Sequence, residues 1–133
     1  MINNMESDKI FEYDPVIYPL KLWIYIGEEF SKLNNKFDEP IEPLDEDEDA
    51  VTYEIKQGEN SGILILFRNR SVMTTQIIAH ESSHAAMFIF DYINSEISTI
   101  AQEPFAYLLG WVAKCCEITK INIDTNIKQN TKK

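Results

Sequence analysis

Residues 71–94, SVMTTQIIAHESSHAAMFIFDYIN, contain neither glycine nor proline. A stretch of that length and apolar density predicts one helix, buried on most of its sides, with Ser71 as its N-cap. Both histidines of the chain, His80 and His84, fall inside it, with Glu81 between them. Residues four apart share a helix face, so the two imidazoles can converge on one metal ion. Glu81 lies about 100° further round, where it reaches a water on that metal without being a ligand. The chemical logic of H-E-x-x-H is two nitrogen ligands plus a general base.

A catalytic zinc site takes three protein ligands and leaves its fourth position to water. No third histidine exists, and Cys115 and Cys116 lie well into the next apolar segment. That segment, EPFAYLLGWVAKCCEIT, predicts a second helix starting between Thr99 and Pro104 and running to about Lys120. Glu103, early in it, is the candidate third ligand if the two helices form an antiparallel hairpin. Asp91 and Glu96 are rivals nearer the turn. Gly110 beside Trp111 would let the helices approach closely. Trp23, Trp111, Phe88, Phe90 and Phe105 read as core.

Upstream, the periodicity changes to that of strands. VTYEIKQ (51–57) alternates apolar and polar residues, GENSG (58–62) supplies turn residues, and ILILFRN (63–69) resumes as a partner strand. LKLWIYIG (20–27) suits a buried or edge strand, and Ile10–Tyr13 a short edge strand stopped by Asp14-Pro15. EEFSKLNNKF (28–37) places apolar residues at the spacing of a short amphipathic helix. Residues 1–9 and 121–133 read as loose tails. The expectation is a single α+β domain: a small, mostly antiparallel sheet packed on the HESSH helix, with the glutamate-bearing helix behind it.

Composition narrows the function classes. At 133 residues the chain has room for one core. A net charge of −10 argues against nucleic-acid binding, which needs clustered Lys and Arg. Eight of the acids lie in DEPIEPLDEDED (38–49), which reads as a solvated acidic loop over 38–50 or as a lure for a cationic partner. The longest apolar runs are too short to span a bilayer, and the N-terminus lacks a signal-peptide core. The adjacent cysteines suit no structural disulfide. These features together predict a cytoplasmic protein.

The HESSH helix followed by EPFAYLLGW resembles the gluzincins, zinc metallopeptidases with His, His and Glu ligands, and most closely their short phage- and prophage-type minimal forms. The resemblance spans about residues 51–120. It implies Zn2+ held by His80, His84 and Glu103, Glu81 as catalytic acid/base, and a peptide or protein substrate. It also implies an extended substrate docked on a strand beside the active-site helix, for which ILILFRN is the candidate. The chain lacks the downstream subdomain of larger members, and no histidine remains to stabilise a transition state. Tyr107, one turn past Glu103, and Arg68, at a strand end, are candidates for that role, each with an ordinary structural reading beside it. Tyr107 could also hydrogen-bond a metal ligand. The competing class is a latent or inactive zincin-like binding module, with zinc structural or absent. In that class the acidic loop could seal the site.

Overall fold

The computed structural model describes the backbone of residues 10–131; the side chains of Lys32 and residues 126–131, and the tail 1–9, lie outside that description. The order is β1 (Ile10–Tyr13), β2 (Lys21–Ile26), a short α1 (Phe30–Asn34), β3 (Ala50–Gln57), β4 (Asn60–Phe67), a 3₁₀ turn (Arg70–Val72), α2 (Thr75–Tyr92) and α3 (Glu103–Thr131). The chain is α+β, with a four-stranded sheet in the order β1-β2-β4-β3. Two pairings are antiparallel, β1 with β2 and β3 with β4, while β2 and β4 run parallel, so the sheet is mixed.

Burial explains the strand composition. β4 carries the unbroken run Ile63, Leu64, Ile65, Leu66 and Phe67, each fully buried, as expected of a strand covered on both faces. Leu22, Ile24, Ile63, Ile65 and Phe67 face α2 and α3. Trp23, Tyr25, Leu64 and Leu66 face the opposite side, closed by Leu33, Phe37 and Ile41. The hairpin between β3 and β4 turns on Gly58 and Glu59 alone. Gly58 has φ +61, the left-handed conformation that a two-residue turn with glycine in its first central position requires.

Both ends of α2 are set by side chains and backbone together. Thr74, and not Ser71, caps its start, accepting the Ile77 N–H at 3.2 Å. Asn69 caps the preceding 3₁₀ turn. At the other end Asn94 takes φ +58, its N–H bonds the Asp91 carbonyl and the Ser95 N–H bonds the Phe90 carbonyl. This crossed pair is the Schellman ending, in which asparagine serves as well as any residue but glycine.

One sequence expectation changes here. Residues 121–131 are not a loose tail but the last turns of α3. Ile123 is buried in the core and Asp124 takes both arms of the Arg70 guanidinium, at 2.7 and 2.8 Å. The acidic stretch 38–49 is an exposed loop, as its composition indicates, and it is held at three points: Ile41 fills the second core, the Asp38 N–H bonds the Lys56 carbonyl, and Tyr53 Oη donates to the Glu42 carbonyl.

Cys115 and Cys116 are free and buried on α3, and burial pushes both thiols up to about 12. Neither should react with a thiol reagent at pH 8 in the folded protein, and both should react in denaturant. Rapid labelling under native conditions would contradict this packing. Since the folded thiols ionise later than unfolded ones, their contribution to stability is intact below the unfolded pKa. It declines as pH rises from there towards 12.

Candidate metal centre

His80 and His84 sit one turn apart on the exposed flank of α2, with their Nε2 atoms 3.2 Å apart and their ring planes at 76°. Two nitrogens each about 2.0–2.1 Å from a tetrahedral zinc ion would be separated by about 3.3–3.4 Å. The pair therefore already has the bite of a zinc site. Which Nε2 donates in this contact depends on the tautomer, and a metal ion held by both nitrogens would need both of them unprotonated. On this measure the two residues fit zinc.

Glu81, on the neighbouring flank of α2, turns towards the sheet and is only 6% exposed. Thr52 Oγ1 on β3 donates to Glu81 Oε1 at 2.7 Å and also lies 3.4 Å from the Glu81 backbone carbonyl. Among the described residues, Oε2 has no hydrogen-bond partner. A carboxylate fixed by one oxygen and open at the other is suited to taking and returning a proton. Thr52 is the functional residue missing from the sequence reading. It alternates as a polar position on β3 and so reads as solvent-facing, yet that face of β3 looks onto α2.

The remaining candidates are dispersed. Taking Glu81 as the reference at about 100° per residue, Ser82, Ala86 and Phe90 lie at about 100°, 140° and 180°. They face α3, with Ser82 Oγ 4.0 Å from Cys116 Sγ and the Phe90 and Phe105 rings 5.3 Å apart. The histidines lie at about 260° and 300°, on the flank turned away from α3. Glu103 begins α3, two residues before Phe105, and the structure does not bring it to the histidine pair. Among the described residues no third His, Cys, Asp or Glu side chain joins the pair.

Tyr107 is 75% exposed and lines a shallow concavity of about 480 Å3 on α3 with Glu103, Gly110 and Trp111. Gly110 opens onto this concavity, with nothing close to the place a side chain would occupy, so it does not mediate helix approach. Arg68 is committed elsewhere. Its guanidinium donates to the Glu48 and Asp45 carbonyls and to the Glu28 carboxylate, and so pins the acidic stretch to the end of β4. These bonds make Arg68 a structural clamp instead of a transition-state stabiliser.

The strand assigned to substrate docking also changes. β4 is paired on both sides, by β2 and by β3, so ILILFRN has no edge to offer. The open edge beside α2 belongs to β3. Its Gln57–Asn60 closure sets alternate residues outward, which directs the backbone of Thr52, Glu54 and Lys56 away from β4. The Lys56 carbonyl is taken by Asp38, while among the described residues no second strand lies against Thr52 and Glu54. No described helix is long and apolar enough to cross a membrane. Comparison of the chain with protein-family models, with curated proteins and with solved structures finds no match.

Proposed function

We propose that this protein is a zinc-dependent, zincin-like peptidase in which His80 and His84 hold the metal and Glu81 is the general acid/base. The observation that carries this reading is the 3.2 Å separation of the two Nε2 atoms on a helix whose intervening glutamate is buried and hydrogen-bonded. Bound zinc would supply Lewis acidity and a water with its pKa lowered to about 7. Thr52 holds Glu81 Oε1, leaving Oε2 to accept a proton from an attacking water and pass it to the leaving amine. The outward backbone of Thr52 and Glu54 on β3 would pair with an extended peptide, in place of the ILILFRN strand. Glu103 remains the third ligand implied by the sequence.

A second reading, a zincin-like binding module without catalysis, is favoured by one feature: the absence, among the described residues, of a third ligand beside the pair. Elemental analysis separates the two. Protein purified without added zinc or a polyhistidine tag is expected to carry near-stoichiometric zinc, and His84→Ala to lose it. A chain that arrives metal-free and fails to take up added zinc would rule out the peptidase.

A further inference from the structure

We propose that the outer face of α3 is a self-association surface, on which a second copy of this chain docks its own α3 antiparallel across a two-fold axis. That face is a stripe separate from the one that covers the core. With Val112 as the reference and about 100° per residue, the buried Leu108, Cys115, Cys116 and Ile123 lie within about 60° of it, in the core shared with α2 and the sheet. On the opposite side, at about 180–240°, stand Glu103, Tyr107, Lys114, Ile118 and Ile121, all exposed. A helix that only covers a core keeps its far side polar, and Tyr107, Ile118 and Ile121 break that pattern.

The charges on this face decide what fits it. Glu103 and Lys114 are eleven residues apart. They therefore stand within about 20° of each other round the helix but about 16.5 Å apart along it. They cannot meet within one helix, and among the described residues neither side chain makes a hydrogen bond or ion pair. A face with an acid at one end and a base at the other is complementary to itself when turned end for end, as a two-fold contact requires.

A two-fold axis level with the midpoint of residues 108 and 109 sets Glu103 against the second copy's Lys114, and Lys114 against its Glu103. The same axis brings Tyr107 level with the second copy's Gly110. Nothing lies within 4 Å of the place where a Cβ on Gly110 would stand, so the concavity of about 480 Å3 around it has room for the tyrosine ring. Ile118 and Ile121 then run past the start of the second copy's α3, towards Ile100, which is 95% exposed in the loop before that helix. The paired charges cancel, so the contact itself adds nothing to the repulsion between two chains of net charge −10. The histidine pair lies on the flank of α2 turned away from α3, and both copies keep it open.

Sedimentation equilibrium of the full chain over a concentration series tests this for the wild type, E103K, K114E, the double variant E103K/K114E and G110Q, with circular dichroism verifying the fold. One helix face per copy makes a small interface, under about 1,200 Å2 in total, so the wild type should dimerise with a Kd of about 1–100 μM. Its mass should climb from 15.4 kDa towards twice that value. Each single charge reversal should raise Kd about tenfold or more, because it sets like charges together at both ends of the contact. The double reversal should return Kd to near that of the wild type. G110Q fills the open place without crowding its own chain and should weaken the dimer as the single reversals do. A wild type that stays monomeric across the series would overturn the proposal. So would a dimer that G110Q and the single reversals leave unchanged, or a double variant no tighter than the single ones.

Discussion

Glu81→Gln is expected to lower peptide hydrolysis by about 10²- to 10⁴-fold, the usual contribution of a positioned general acid/base, with fold and zinc content unchanged. Glutamine keeps the volume of the buried side chain, and its amide oxygen can still accept the Thr52 hydroxyl that now binds Oε1 at 2.7 Å. What it cannot do is take a proton from water at neutral pH. His80→Ala should behave differently, losing metal and activity together, because it removes one of the two nitrogens that form the 3.2 Å bite. The experiment compares turnover of a peptide library with zinc stoichiometry in the same preparations. Equal turnover by wild type and E81Q would sink the acid/base assignment, whatever the zinc content.

The parts of the site legible in the sequence are those that one helix determines by itself. Helical periodicity alone places His80 and His84 on one face and Glu81 about 100° away, and the structure has that arrangement. The hairpin of β3 and β4 was equally readable, from alternation and the glycine turn. The contact of Thr52 with Glu81 and the clamp made by Arg68 were not, because each owes its position to pairing between segments distant in sequence. Thr52 touches Glu81 only because β3 is the edge strand under α2, and periodicity does not say which strand takes the edge. The parallel pairing of β2 with β4 likewise places ILILFRN in the middle of the sheet, where its all-apolar composition is explained by burial and not by substrate docking. The acidic stretch is the solvent-facing loop its charges indicate. What periodicity does not show is that the single Ile41 anchors it in the second core and that Arg68 clamps it by the backbone carbonyls of Asp45 and Glu48.

On the far side of the sheet from the histidines, Trp23→Ala should cost about 3–5 kcal/mol of folding stability. The indole is fully buried, meets Phe37 edge-on with centroids 4.9 Å apart, and donates from Nε1 to Glu12 Oε1 at 2.9 Å, across the β1–β2 pair. Its ring also occupies the space where residue 62 would carry a side chain. A Cβ on Gly62 would meet the Trp23 ring and the Lys21 carbonyl oxygen, both too close to tolerate without movement. Gly62→Ala should therefore destabilise as an overpacked site does, by about 1–3 kcal/mol. Combining the substitutions discriminates tight packing from a generic loss. Without the indole, the alanine methyl loses one of its two obstacles, and only the carbonyl remains. The cost of Gly62→Ala should accordingly shrink in the Trp23→Ala background without vanishing, a coupling of about 0.5–3 kcal/mol. Urea unfolding of the four variants measures it. Strict additivity would mean that the ring and the glycine do not constrain each other. Zinc uptake by the folded fraction should survive both changes, since the sheet separates Trp23 from α2.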